Sequence, residues 1–356
     1  MTKNHNYYLD LAYQLAEKNL GKTGLNPTVG AVVVKDDSVI SSGITSYRGR
    51  PHAEFNALSK INCAGATLYT SLEPCVHYGK TPPCTKIISK KKIKKVYFGS
   101  YDPDLRSYKK AKSTLNKRAI HVKKINSENY KNFYRSYFIN KKLNIPFVSA
   151  KIALSNDLFS INHKKKWVTN DSSRKIVHLL RSRYDCILST SKTINLDNSL
   201  LNCRIDGLDK FKPDLFIIDL NLRLKKKLLL NKIINKRKTY IITNKSNLKK
   251  VSIYKKKGYK FVFINALKDK KDFILLYKKI YKLGYSRVLL ETGLIFLNTV
   301  IKNKLINNLY FFKSNKNLRK IGKNNISPYF LKKINFKQIP INLNGDKLFI
   351  KDFRNV

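Results

Sequence analysis

Apolar positions recur through Tyr8, Leu11, Ala12, Leu15 and Ala16, a spacing that lines one face of an opening helix. After Asn26-Pro27 the rhythm changes. Two β-rich runs, 29–34 and 39–44, flank Lys-Asp-Asp-Ser and predict a hairpin. A helix beginning near Pro51, a strand over 66–71, a loop rich in Gly and Pro, and a helix from about Pro82 follow. A strand over 95–99, a helix near 108–116 and a short strand over 121–125 continue the alternation, so this stretch predicts an α/β layer whose sheet need not be wholly parallel.

The pattern pauses around 140–146, where Pro146 breaks the preceding helix, which sets a boundary between domains over 1–145 and 146–356. A second alternating series then begins. Strands are expected over 147–154, 185–189, 215–219, 239–243, 260–265 and 287–291, helices over 172–183, 271–283 and 294–304, and a final strand pair closes the chain. No internal repeat is visible.

With 356 residues, 42% of them hydrophobic and 11% aromatic, the chain has enough to bury for two domains and is no disordered basic tail. Its 73 Lys plus Arg against 22 Asp plus Glu give +51. That charge is spread over every segment. Runs such as 90–95 and 225–227 are read as solvated faces, and the excess favours anionic ligands without marking a specific nucleic-acid footprint. The five cysteines, Cys63, Cys75, Cys84, Cys186 and Cys203, are an odd number without even spacing, which argues for free or metal-bound thiols in a reducing compartment. The opening segment lacks a signal peptide's continuous apolar core and no run reaches membrane-spanning length, so a cytoplasmic location and no membrane partner are expected.

Three segments read together as one site: Pro51-His52-Ala53-Glu54, Leu72-Glu73-Pro74-Cys75 and Thr81-Pro82-Pro83-Cys84. One imidazole and two sulfurs suit Zn2+, and three protein ligands leave a fourth position for water, which a catalytic zinc converts to a nucleophile near neutral pH. Glu54, two residues after His52 at a helix start, is placed to move protons without ligating the metal, as in the H-x-E…P-C-x-x-C pattern of zinc nucleobase deaminases. Cys84 follows two prolines at the head of a helix, whose dipole favours its thiolate. Cys63 and Cys186 are read as packing residues.

NPTVGAVVV (26–34), PHAE (51–54) and TSLEPCVHYGKTPPC (70–84) resemble the deaminase half of the bifunctional riboflavin-biosynthesis deaminase/reductases. Eight residues separate Cys75 from Cys84, where tRNA-adenosine, cytidine and deoxycytidylate deaminases have a short CxxC. The resemblance implies that Asn26 contacts the substrate and that His77 lines the pocket. Thr45 stands where that family usually has a histidine seven residues before the zinc His.

Over most of 147–310 the chain resembles the same family's reductase half. The matching stretches are Lys151-Ile-Ala-Leu-Ser155-Asn-Asp157, Trp167-Val-Thr169, Arg181, the run from Thr193 through Asp197 and Leu201 to Arg204, and Leu290-Glu291-Thr-Gly293. This implies that Leu154, Trp167, Thr193 and Asp197 face NADPH, whose phosphates meet the Gly293 turn, while Lys151, Arg181, Leu201, Arg204 and Glu291 hold a phosphoribosyl substrate. Lys165 is assigned to its phosphate. Leu158 replaces a family Gly, Ser199 a Pro, and Leu220 follows Asp219 where a Ser is common.

The resemblance thus implies a cytidine-deaminase-like α/β/α layer domain followed by a dihydrofolate-reductase-like α/β domain. The expected enzyme uses zinc to deaminate 2,5-diamino-6-(5-phosphoribosylamino)pyrimidin-4-one to the uracil, then NADPH to reduce the ribosyl chain to ribityl. Its partner is a phosphorylated pyrimidine, and a homo-oligomer is left open. The alternatives are a deaminase of tRNA or single-stranded nucleic acid, a deaminase whose reductase half has lapsed, and a non-catalytic RNA-binding protein on the same scaffold.

Overall fold

The computed structural model describes residues 5–165, 167–208 and 213–353. Residues 1–4 of the opening segment and Lys166 of the run before Trp167 lie outside the described residues. The chain divides into two compact units, 1–144 and 145–356.

In unit 1 the amphipathic opening segment forms α1 (His5–Glu17), and the expected hairpin forms β1 (Gly30–Lys35) and β2 (Ser38–Ile44). Then come α2 (Ala53–Leu58), β3 (Thr67–Leu72), α3 (Cys84–Lys90), β4 (Lys95–Ser100), α4 (Ala111–Asn116), β5 (His121–Lys124) and α5 (Arg135–Leu143). The sheet order is β2-β1-β3-β4-β5. β1 runs antiparallel to β2 and β3, whereas β3, β4 and β5 are parallel. Because strand side chains alternate between faces, Val32, Val34, Tyr69 and Tyr97 pack with Ala12 of α1, and Ala31, Val33, Leu68 and Val96 join Ala53, Ala57, Leu58 and Ile88 of α2 and α3.

Two boundaries differ from expectation. α4 starts at Ala111 rather than near Tyr108, because Lys109 adopts a left-handed backbone (φ 58°) and the Glu73 carboxylate captures the N–H groups of Lys109 and Ala111, each at 3.0 Å. α5 stops before Pro146 is reached. Asn144, left-handed at φ 54°, closes it by donating its N–H to the Asn140 carbonyl.

Unit 2 begins with β6 (Phe147–Leu154), β7 (Ile161–Asn162), α6 (Asp171–Arg181), β8 (Cys186–Thr190), α7 (Ser191–Asp197) and β9 (Asp214–Ile218). It continues with β10 (Thr239–Asn244), α8 (Ser252–Lys256), β11 (Lys260–Ile264), α9 (Lys270–Lys282), β12 (Arg287–Glu291), α10 (Leu294–Lys302) and β13 (Asn308–Lys313). β14 (Gly322–Lys323), α11 (Tyr329–Lys332), β15 (Lys337–Leu343) and β16 (Asp346–Asp352) end it. Nine strands order as β11-β10-β9-β8-β12-β6-β13-β16-β15, parallel from β11 to β13 and antiparallel at the closing hairpin. From β8 the chain steps outward through β9, β10 and β11, then returns to insert β12 between β8 and β6. That reversal makes a topological switch point at the carboxyl ends of β8 and β12, where open α/β sheets bind ligands.

The helix bearing the His52-Glu54 motif sits unusually close to its strand. A Cβ on Gly43 would lie 2.3 Å from the Ala53 carbonyl oxygen and 2.5 Å from the Ala57 nitrogen, both backbone atoms that cannot swing aside. Gly43→Ala is therefore expected to push α2 off β2, destabilise unit 1 by about 1–3 kcal/mol in denaturant melts, and reduce the metal held by the purified protein. Normal stability and metal content would contradict this account of α2.

Candidate active site

Three local structures deliver the three soft donors. His52 is the extended residue capping α2, Cys84 is the first residue of α3, and Cys75 lies in the loop after β3. The ligand atoms of His52, Cys75 and Cys84 all lie within 4.8 Å of one another. His52 Nδ1 is 3.3 Å from Cys84 Sγ and 3.7 Å from Cys75 Sγ. Bonds of about 2.0–2.1 Å to nitrogen and 2.3 Å to sulfur at a tetrahedral centre put N and S about 3.6 Å apart, so the donor set fits zinc.

The helix start acts on a different sulfur from the one expected. The Cys84 N–H donates to Cys75 Sγ at 3.2 Å. The Cys84 thiol bond comes first among the causes that pull the Cys75 pKa down to about 4; burial opposes it and the His52 bond assists. Cys84 itself is pushed well up, first by giving that bond to Cys75 and then by burial. Hydrogen bonding to Cys75 likewise raises His52. Two sulfurs and an imidazole thus compete for protons in a buried space, a conflict that a divalent cation removes.

Glu54 sits one position into α2, 4% exposed, and burial raises its pKa, with the Cys75 charge adding to the shift and His52 opposing it. Asn26, half-buried, donates Nδ2–H to the Gly49 carbonyl at 3.0 Å, three residues before His52, and its Oδ1 accepts no hydrogen bond among the described residues. His77 follows Cys75 by two residues and has its Nδ1 2.8 Å from Ser107 Oγ; burial and then Arg106 lower its pKa. Thr45 is buried, and its Oγ1 accepts the Val29 N–H at 2.9 Å, so its hydroxyl serves the sheet.

Sequence reasoning missed what holds the cysteine loop. Glu73 is 3% exposed and accepts the N–H groups of Asp102, Lys109 and Ala111, tying the segment after β4 to the residues that lead into Cys75.

In unit 2, Lys151 and Glu291 face each other in register across β6 and β12, with Lys151 Nζ 3.1 Å from Glu291 Oε2. Arg181 of α6 adds a two-pronged bond, Nε at 2.6 Å and Nη2 at 3.0 Å from the same carboxylate. Burial would raise Glu291, yet Arg181 and then Lys151 hold it well below the usual carboxylate range. Arg181 Nη1 and His178 Nδ1 both reach the Asn202 carbonyl, at 3.0 and 2.9 Å, while Arg204 Nη1 donates to Asn202 Oδ1 at 2.7 Å. Of the expected substrate residues, Lys151 and Arg181 thus meet on the Glu291 carboxylate, and Arg181 and Arg204 meet on Asn202. No carboxylate among the described residues pairs with Arg204. Leu201, buried and left-handed at φ 46°, gives its carbonyl to the buried Arg237, a residue the sequence did not single out.

Of the expected NADPH residues, Leu154, Thr193 and Gly293 lie at or just after the carboxyl ends of β6, β8 and β12. Leu154 is fully buried at the carboxyl end of β6. Thr193 is in the first turn of α7 after β8, held by Thr190, whose Oγ1 accepts its N–H at 3.2 Å, and Asp197 is the exposed last residue of that helix. Gly293 caps α10 after β12, and a Cβ there would meet nothing within 4 Å. Trp167 is 48% exposed, with the Arg174 guanidinium 5.1 Å from its ring centroid. Lys165 is exposed on the turn that Asn162 Oδ1 caps, and no described contact joins it to the Glu291 cluster.

A family model described as the cytidine and deoxycytidylate deaminase zinc-binding region matches residues 2–100, and one described as the RibD C-terminal domain matches residues 146–317. These define the class: a zinc-type deaminase layer followed by a dihydrofolate-reductase-like α/β reductase domain. The riboflavin biosynthesis protein RibD of Aquifex aeolicus is 32% identical over 312 residues, covering 86% of this chain and 85% of that one. The structure of Acinetobacter baumannii RibD superposes with a TM-score of 0.83 at 25% identity, covering 98% of both chains. A Thermotoga maritima structure, titled a diaminohydroxyphosphoribosylaminopyrimidine deaminase/5-amino-6-(5-phosphoribosylamino)uracil reductase, gives 0.79 at 26% identity over 97% of both. The chain belongs to the RibD family, the bifunctional deaminase/reductases of riboflavin biosynthesis. No helix among the described residues is long and apolar enough to cross a membrane.

Glu291 is the counter-charge on which the unit 2 cluster depends. Glu291→Gln leaves the buried Arg181 and the half-buried Lys151 without it and is expected to cost on the order of 3 kcal/mol at neutral pH. Because the folded state depresses this carboxyl, its contribution is complete above the free glutamate value of about 4.3 and is lost as pH falls below it. The stability gap between wild type and E291Q, read from denaturant midpoints, should accordingly narrow on going from about pH 7 to about pH 3. A gap independent of pH would show that Glu291 is not the charged partner.

Proposed function

We propose that residues 1–145 carry the deaminase and residues 146–356 the reductase, acting in turn on a phosphoribosylated diaminopyrimidinone. The convergence of His52, Cys75 and Cys84 beside a buried Glu54 is the observation that carries this reading. Zinc held by those three side chains supplies the Lewis acidity that makes water nucleophilic near neutral pH. Glu54 does the proton work: its carboxylate moves one proton of the attacking water to the adjacent ring nitrogen, then takes the remaining proton from the added hydroxyl and gives it to the amine as the C–N bond breaks, so that water and the amino-pyrimidine yield the carbonyl and ammonia. Burial suits Glu54 to this task because a raised pKa lets it hold a proton for part of the cycle. Asn26, through its unused Oδ1, and His77 orient the heterocycle.

NADPH supplies the hydride for the second step. Leu154, Trp167, Thr193 and Asp197 would face the cofactor, and the Gly293 turn at the start of α10 would receive its phosphates. Arg204, with no carboxylate partner among the described residues, is the cation left over for the substrate phosphate. Arg181 retains two of its five N–H groups after bonding Glu291 and Asn202. Lys151 and Glu291 position the ribosyl chain, Leu201 packs beside it, and Lys165 adds charge near its phosphate. The protein acts on this small molecule in the cytoplasm, with no membrane or specific nucleic-acid partner.

Purified protein should carry about one zinc per chain, and Glu54→Gln should keep the metal while ammonia release falls by at least about 10²-fold. Ammonia and NADPH oxidation are followed separately with the diaminopyrimidinone as substrate. Normal ammonia release by E54Q would remove Glu54 from the proton-transfer role, and zinc-free active protein would overturn the site as a whole.

A further inference from the structure

The Ser107 hydroxyl sits in an enclosed position between two partners of the deaminase loop. Ser107 is 0% exposed. Its Oγ lies 3.2 Å from the Val76 backbone nitrogen and 2.8 Å from His77 Nδ1. An N–H can only donate, so toward Val76 the hydroxyl oxygen is the acceptor. The hydroxyl carries one proton of its own, and among the described residues His77 Nδ1 is the one acceptor within its reach. A buried hydroxyl proton left unmatched is costly, so the hydrogen bonds close in one way: Val76 N–H to Ser107 Oγ, and Ser107 O–H to His77 Nδ1. An Nδ1 that accepts a proton in a hydrogen bond is bare, which places the ring proton of neutral His77 on Nε2.

We propose that Ser107 is a positioning residue for the deaminase: it fixes His77 as the Nε2–H tautomer, so that the ring offers a neutral donor to a carbonyl oxygen of the pyrimidinone. His77 is half-buried, and its Nε2 takes no protein hydrogen-bond partner among the described residues. Ser107 is itself fixed in place. Its N–H donates to the Asp104 carbonyl at 2.8 Å, its carbonyl accepts the Lys110 N–H at 2.9 Å, and the Glu73 carboxylate clamps the same segment at Asp102, Lys109 and Ala111. Ser107, on the segment that Glu73 clamps, thereby sets the rotamer and tautomer of a side chain 30 residues away in sequence. This inference rests on the deaminase reading above for its substrate, but not for its tautomer.

The test uses full-length, zinc-loaded protein labelled with nitrogen-15 at its six histidines. Long-range nitrogen–proton correlation should show His77 with a bare Nδ1 and a protonated Nε2. Ser107→Ala should release that preference, raise KM for the diaminopyrimidinone about tenfold, as expected for one misdirected hydrogen bond, and leave kcat within about twofold. Ser107→Thr, which keeps the hydroxyl, should restore both tautomer and KM. Unchanged zinc content and unchanged NADPH-dependent reduction of the deaminated intermediate would show that S107A is folded. A proton on Nδ1 in the wild type overturns the proposal, as does an S107A protein with wild-type KM. Should the wild type release no ammonia at all, the deaminase reading fails while the tautomer spectrum still decides the role of Ser107.

Discussion

Everything in unit 1 is subordinate to bringing one nitrogen and two sulfurs into a space smaller than a side chain. None of these donors can find the others through local sequence alone, since they come from a helix cap, a loop and a second helix start. The fold meets this requirement by packing α2 tightly on β2, with Gly43 removing the Cβ that would hold them apart, and by anchoring the cysteine loop through Glu73. The Cys75 sulfur is then held by the Cys84 N–H, so one helix start both presents a donor and stabilises its neighbour. The result is an electrostatic conflict between buried ionisable groups that is tolerable only because the cluster has a cation to serve.

Unit 2 solves the opposite problem. Its cluster has excess positive charge, with Lys151 and Arg181 on the single carboxylate of Glu291 and Arg204 joined to Arg181 through Asn202. Register between parallel strands sets Lys151 against Glu291, and Asn202 joins Arg181 to Arg204 through its carbonyl and its side chain. A site arranged in this way keeps its cations ordered in the absence of an anionic ligand while leaving part of their hydrogen-bonding capacity unused.

How much of this was legible follows from the range of each interaction. The zinc donors and Glu54 could be read because their spacing within short segments encodes the chemistry directly. Most strands could be read because their apolar runs are short and sharply bounded, as at β6 and β12. α7 was not anticipated: Ser191–Asp197 has a single buried apolar residue, Ile194, and is started by the Thr190 cap. Nor was β13, which is a strand because it pairs with both β6 and β16. Glu73, Ser107, Asn202 and Arg237 were illegible for a common reason. Each is a polar residue whose value lies in partners 20 to 40 positions away, and no periodicity records such a pairing.

The positions at which this chain departs from its family also have a physical reading. Leu158, where the resemblance implies a glycine, adopts the left-handed backbone that glycine takes freely, at φ 66°. The turn is retained because Asp157 accepts the N–H groups of Leu318 and Arg319, and Ser155 Oγ accepts that of Phe159. At Thr45 the hydroxyl takes over a hydrogen bond within the sheet, and Asp219, ahead of the altered Leu220, is saturated by Ser191, Arg223 and Leu224. In each case the local hydrogen bonds are closed rather than abandoned. A scaffold that had lost its function would be under no constraint to keep the buried Arg181–Glu291–Lys151 group intact, because replacing such a cluster with apolar side chains is often neutral or stabilising.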